Sequence, residues 1–117
     1  QAYLAPTPGV IGLTIRATVK MGNAADVVLS LKSSDDASGT NATDFPVNTP
    51  IFVDNVRQAD GKAYTVGDAA GNFVVDFCVN PSNIPAGKFV GLSYPISNAA
   101  NLVSIVLIEE VAYRPHA

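Results

Sequence analysis

The chain has 117 residues, of which 48% are hydrophobic and only 15% are charged, and its formal net charge is −3. This length accommodates one domain, and the basic residues are scattered singly, which excludes the basic stripe that nucleic-acid binding requires. Cys78 is the only cysteine and His116, the penultimate residue, is the only histidine. These counts exclude an intrachain disulfide, a cysteine-based zinc site and a histidine-rich metal centre. We expect no enzyme and no cofactor, because a catalytic triad would have to use that terminal histidine.

The predicted elements begin with residues 1–9, which we expect to form an extended arm without regular pairing because Pro6 and Pro8 interrupt it. Apolar and polar residues then alternate strictly, which predicts half-buried strands. This period of two runs over 13–21, 27–32 and 73–80. Composition and patterning predict further strands at 50–56, 63–66, 88–94 and 101–113. Cys78 is expected to be a small buried side chain within one of these strands.

Polar segments separate the predicted strands. Residues 33–43 form a long polar loop, and Asp60-Gly61 between two strands predicts a tight hairpin. Val, Ile and Thr together supply 29 residues, and no segment shows a helical period. We therefore expect an all-β fold, a single antiparallel β-sandwich or jelly roll of about seven to eight strands with extended terminal arms. Residues 10–113 would form this domain, with 1–9 as the N-terminal arm and 114–117 as a C-terminal tail.

The longest uncharged stretch runs from residue 89 to residue 108. A bilayer span of this length is disfavoured because polar residues at 97–101 interrupt it, so two strands joined by a loop are predicted instead. The second of these strands is apolar on both faces, unlike the others. One face carries Leu102, Val106 and Ile108 together with Ser104, and the other carries Val103, Ile105 and Leu107. Such a strand is predicted to be either central and covered on both sides or part of an interface.

Two groups of carboxylates are candidates for chemistry. Asp35, Asp36 and Asp44 in the polar loop offer the oxygen ligands that calcium prefers, but their spacing does not match an EF-hand. A solvated loop without a metal is therefore expected. Glu109 and Glu110 are the only glutamates, and adjacent strand residues point to opposite faces. They are not expected to form a facing acid–base pair.

The terminal segments allow two interpretations. They are either frayed tails or arms that order on a neighbouring molecule. The second interpretation makes apolar and aromatic residues at the two ends the candidate contacts with other subunits or with a capsid. These candidates are Tyr3, Leu4, Tyr113 and Arg114.

Three strings resemble the small β-sandwich decoration (cement) proteins of tailed-bacteriophage capsids. They are NAADVVLSLK at 23–32, FVVDF at 73–77 and IPAGKFVGLSY at 84–94. The resemblance implies a non-enzymatic virion protein that binds the capsid exterior and stiffens the shell. Its implied partners are the major capsid protein and copies of itself, as a dimer or trimer, without nucleic acid or membrane.

The alternative hypothesis is a carbohydrate-binding or adhesive β-sandwich module. In that case Tyr64, Tyr94 or the loop 33–44 would contact the ligand. The lack of tryptophan disfavours this hypothesis without excluding it, because sugars commonly stack on exposed aromatic rings.

Overall fold

The computed structural model describes residues 3–67 and 70–111, and in these residues it contains ten strands and one 3₁₀ turn. The longer strands coincide with the segments in which apolar and polar residues alternate. The strands are β1 Tyr3–Leu4, β2 Val10–Met21, β3 Val27–Ser34, β4 Thr43–Asp44, β5 Ile51–Val53, β6 Val56–Arg57, β7 Ala63–Val66, β8 Gly71–Val79, β9 Phe89–Ser93 and β10 Leu102–Val111. The 3₁₀ turn Pro81–Asn83 follows β8, and the side chain of Asn80 caps it by accepting a hydrogen bond from the Ser82 N–H.

The strands form two antiparallel sheets that pack as a sandwich. Sheet A has the order β1-β9-β3, and both β7 and β4 pair with the far side of β3. Sheet B has the order β10-β2-β8-β5-β6. The predicted antiparallel β-sandwich is confirmed, but the predicted count of seven to eight strands is too low. The difference comes from β1, β4 and β6, which have two residues each and are too short to show a period.

The core lies between the sheets, where the alternation places it. Every second residue is buried in β2 from Leu13 onward, throughout β3 and in β8 from Val75 onward, as the period of two requires. The largest buried side chains are Phe45, Phe77, Ile15, Leu29, Leu31, Ile51 and Leu92. Most outward-facing residues of the same strands remain partly or fully exposed, although Ser34 and Asp76 are buried.

The tight turn lies earlier in the chain than predicted. Asp54 and Asn55 have φ of +49° and +66°, a left-handed pair that closes a two-residue hairpin between β5 and β6. The predicted hairpin at Asp60-Gly61 is wrong. Gly61 instead bridges Thr49, and the chain then crosses to sheet A, where β7 pairs with β3.

Two residues of the N-terminal segment are paired, contrary to the expectation that residues 1–9 have no regular pairing, whereas residues 5–9 belong to no strand. In β1, Tyr3 pairs with Gly91 and Leu4 pairs with Val90, so these two residues form an edge of sheet A. The backbone N–H of Tyr3 also donates to the carbonyl of Ala37. Burial of the Tyr3 ring favours this paired conformation over the frayed conformation that we expected for these residues.

The uncharged stretch 89–108 forms β9 in sheet A and most of β10 in sheet B, which confirms the prediction of two strands. No helix among the described residues is long and apolar enough to cross a membrane. Because β10 lies at the edge of sheet B, the prediction that this strand is central is wrong. The interpretation that it belongs to an interface stays a prediction.

Candidate interaction surface

β10 is the longest sheet edge among the described strands. The other edges are β1, β4 and β6 with two residues each and β7 with four. β10 has ten residues, and no described strand pairs with it on the side away from β2. An edge strand presents a row of unpaired backbone N–H and C=O groups that can template another strand, so natural proteins usually keep edges short.

The outer face of β10 carries three exposed apolar side chains, with the polar side chain of Ser104 between the first two. Leu102, Val106 and Ile108 are 57%, 54% and 41% exposed, and we call these three side chains the apolar stripe. On the inner face, Val103, Ile105 and Leu107 pack against the core but are only half-buried. Apolar area therefore remains in contact with water on both sides of this edge. Burying it against another molecule would be favourable.

Charged residues flank the apolar stripe at its two ends. Lys20 of β2 pairs with Leu102, where β10 begins. Near the other end of the strand, Glu110 pairs with Gly12. A Cβ atom on Gly12 would lie 2.9 Å from Oε2 of Glu110, so this glycine makes room for the carboxylate. The outer face of β10 is therefore positive beside its first residue, apolar in its middle and negative near its last.

A row of register-paired side chains crosses sheet B beside the apolar stripe, and the opposite charges within this row neutralise each other. Val106 pairs with Arg16, Arg16 with Asp76, and Asp76 with Phe52. Nε and Nη2 of Arg16 donate to the two carboxylate oxygens of Asp76 at 2.8 and 3.1 Å. The hydrogen bond and the negative charge of Asp76 raise the pKa of Arg16. At the far side of the row the Arg57 guanidinium lies 5.8 Å from the centre of the Phe52 ring.

An open cavity of about 510 Å³ lies where this face meets the Glu110 end of β10. Thr14, Cys78, Ile108 and Glu110 are among its lining residues. Cys78 lies in β8, within a strand as predicted, but on the outer face of sheet B, where it is half-buried and not the fully buried side chain that we expected. Burial, and secondarily the charge of Asp76, raise the pKa of the Cys78 thiol. The thiol therefore stays protonated at neutral pH and is a poor nucleophile.

The acidic loop uses its carboxylates to hold itself together. Asp36 accepts hydrogen bonds from the backbone N–H groups of Ser38 and Thr40 and from the Thr40 hydroxyl. These bonds lower the pKa of Asp36. Asp35 is ion-paired with Lys88 and also accepts from the Asn41 amide. Within 3–67 and 70–111, no three His, Cys, Asp or Glu side chains are arranged to hold a metal ion.

The third acid of the loop, Asp44, forms an ion pair with Lys32 at 2.8 Å. The hydrogen bond and charge of Lys32 lower the pKa of Asp44. The ion pair joins β4 to β3 at the point where Lys32 and Asp44 are register partners. All three acids of the loop therefore have partners within the domain.

Of the two predicted N-terminal contact residues, Tyr3 packs inside the domain, whereas Leu4 does not. Tyr3 is 2% exposed, and its ring lies beneath Gly39, where an added Cβ would come within 2.8 Å of the ring. Burial raises the pKa of the Tyr3 phenol. Leu4 remains largely exposed on the edge of sheet A. Tyr113 and Arg114 lie outside the described residues.

The other candidate residues are a tyrosine in β7, a tyrosine directly after β9 and the two glutamates of β10. Tyr64 and Tyr94 pack against the core as half-buried side chains, which leaves little ring surface for stacking a sugar. Glu109 pairs with Leu13 and Glu110 with Gly12, so the two carboxylates point to opposite faces as predicted. Two-sided hydrophobicity between residues 102 and 108 led to an interface as one of two interpretations of this strand, but the three side chains of the apolar stripe were not among the predicted contact residues.

No model of a known family matches the chain, and neither a curated protein sequence nor a solved structure matches it.

Proposed function

We propose that this protein is a structural virion protein, a capsid decoration (cement) protein that binds the capsid exterior and stabilises the shell. The observation that carries the proposal is the apolar stripe, an exposed hydrophobic surface on the longest edge of the sandwich. The sequence resemblance to phage decoration proteins supports the same function. The partner on this hypothesis is the major capsid protein.

The charges around the stripe suit a protein–protein contact. A surface that binds protein loses stability if it must desolvate unpaired charges, and interface centres are depleted of charge. The row beside Val106 avoids this cost because Arg16 and Asp76 neutralise each other through two hydrogen bonds. Lys20 and Glu110 lie at the ends of the stripe, where a polar rim is expected.

Weak single contacts are sufficient for this function. A specific interface usually buries about 1,200–2,000 Å², more than one stripe of three side chains offers. Many copies on a regular shell gain avidity, because each contact reinforces its neighbours. β10 pairs with β2 along its length, and its inner side chains pack against the core. The apolar stripe therefore keeps one geometry, so binding costs little conformational entropy.

The proposal is tested by co-sedimentation with purified shells of the major capsid protein. The test variant replaces the whole stripe with threonine, L102T/V106T/I108T, which keeps β-branched side chains in most of the strand. The matched control is V28T/V47T/V56T, three exposed valines on other strands and loops. We expect the wild type and the control to bind the shell and raise its melting temperature.

The stripe variant should remain folded and lose at least about tenfold in binding, equivalent to about 1.4 kcal/mol. Failure of the wild type to co-sediment would rule the proposal out. Equal binding by the stripe variant and the control would remove the stripe as the binding surface.

A further inference from the structure

We infer that β10 pairs antiparallel with β10 of a second copy of this chain, joining two five-stranded B sheets into one continuous sheet. This inference deepens the proposed function, since it names a partner for the edge that carries the apolar stripe. It stands on strand length, side-chain alternation and charge in the described residues.

The length of the edge is the first argument. Each of the four other edge strands has two to four residues, whereas β10 has ten. An edge of that length, without a proline and with exposed apolar side chains, is an aggregation hazard unless it is covered. Another β10 covers it along its whole length, because a strand paired with its own copy has a partner of equal length.

Side-chain alternation is the second argument. Antiparallel pairing centred on Val106 would set it opposite Val106 of the second copy, and Ile105 opposite the copy's Leu107. The outer faces would then join the two apolar stripes into one patch. The half-buried inner side chains Val103, Ile105 and Leu107 would be covered in the same step. A single pairing therefore covers the half-buried inner side chains and brings the two apolar stripes together as cross-strand neighbours on the outer face.

Charge is the third argument, and it selects the direction of pairing. The acidic residues Glu109 and Glu110 lie near one end of β10, and Lys20 lies beside Leu102 at the other. The register centred on Val106 sets Glu110 of one copy opposite Leu102 of the other, so that Glu110 lies two strands from Lys20 of that copy and faces no like charge. Parallel pairing would instead align the glutamates with their own copies, and like charges placed opposite each other are destabilising.

The geometry also limits the assembly to two copies. A two-fold axis through the centre of the β10 pair uses the same edge in both chains and closes the interface. The opposite edge of sheet B is β6, whose two residues offer no comparable template. Pairing of this kind gives a dimer, rather than a trimer or an open fibre.

The first experiment measures mass in solution by native mass spectrometry and sedimentation, without any capsid present. We expect the wild type to have twice the chain mass of 12.1 kDa. V106K would bring two ammonium groups together at the two-fold axis and should give a monomer with an unchanged circular dichroism spectrum. The matched control V56K carries the same change at a 63% exposed position on the opposite edge of sheet B and should remain dimeric.

The second experiment tests the register with cysteine pairs in a Cys78→Ser background. V106C should form an intermolecular disulfide when oxidised glutathione accepts the two electrons, because opposed Cα atoms lie about 4.5–5.5 Å apart, within disulfide range. L102C should not, because the two copies of residue 102 would be separated by about 27 Å along the strands. Cross-linking of L102C as efficiently as V106C would overturn the register.

A monomeric wild type, or dimers that V106K and V56K affect equally, would overturn the self-pairing. Neither result depends on the capsid, so the two hypotheses fail separately. A dimer that does not co-sediment with shells retains the pairing and removes the proposed function. A monomer that does co-sediment with shells retains the proposed function and removes the pairing.

Discussion

A single buried amide, Asn101, fixes the start of β10 against the β2–β3 turn. Its side chain is 1% exposed, and Oδ1 accepts hydrogen bonds from the backbone N–H groups of Gly22 and Asn23, both at 2.9 Å. Nδ2 donates to the carbonyl of Ala25 at 2.9 Å. Three backbone groups of the turn thus depend on one side chain. The amide also sets where the edge strand begins.

We expect Asn101→Ala to lower the free energy of unfolding by about 1–3 kcal/mol, because it leaves these turn groups without their buried partner. Denaturant titration measures the change. The control Asn83→Ala, at an exposed position in the 3₁₀ turn, should stay within about 0.5 kcal/mol of the wild type. Equal losses for the two variants would contradict the role assigned to Asn101.

The carboxylate of Asp36 links the stability of the acidic loop to pH. Hydrogen bonds from Thr40 and Ser38 lower its pKa below the ordinary 3.8. A depressed folded-state pKa gives stabilisation that is fully present above the ordinary value and is lost as the pH falls through the folded value. Asp35 and Asp44 act in the same direction, because their lysine partners lower their pKa values.

We therefore expect the melting temperature to fall as the pH is lowered below about 4. Asp36→Asn keeps an oxygen that can accept from the loop N–H groups but no longer titrates, so its melting temperature should fall less over the same range. Calorimetry between about pH 2 and 6 checks this. Superimposable pH profiles for the wild type and Asp36→Asn would contradict the role of the Asp36 carboxylate.

At the scale of the elements, β1 shows how a chain end becomes part of the sandwich. Two residues suffice, because the Tyr3 ring is buried beneath Gly39 while the backbone pairs with β9. The strand closes one edge of sheet A and leaves Leu4 on its surface. The segment therefore contributes to the fold, whatever it contacts outside the domain.

Tyr3→Ala should lower the free energy of unfolding by about 2–4 kcal/mol, because it empties a site that a buried ring fills. Leu4→Ala is the matched control. Leu4 is 46% exposed, and its loss should cost less than about 1 kcal/mol. Chemical denaturation of both variants measures the difference. If Tyr3→Ala were as stable as Leu4→Ala, β1 would be a tail and not an element of the fold.

Element length explains which strands were predictable. β2, β3 and β8 have eight to twelve residues, long enough for a period of two to be recognised. The short strands β4 and β6 have no period, and their positions depend on the strands beside them. Asp60-Gly61 has turn residues, but the pairing of β7 with β3 in the other sheet decides that no hairpin forms there.

Across the whole molecule, the edge strands of the two sheets differ in length. Sheet A ends in short strands on both sides, whereas sheet B ends in β6 on one side and in β10 on the other. Some exposed apolar surface is ordinary for any folded domain. The exposed apolar stripe, which Ser104 interrupts, and the long open edge coincide on β10, and this coincidence supports both proposals.

The sequence by itself determined the class of fold, the absence of a basic stripe and most of the buried residues. Alternation is a local property that survives in any packing, because successive strand side chains always point to opposite faces. It also identified 102–108 as apolar on both faces, but both a central strand and an interface satisfy that pattern. Only the tertiary structure decided that β10 is an edge, because pairing partners are set by contacts between residues distant in the chain.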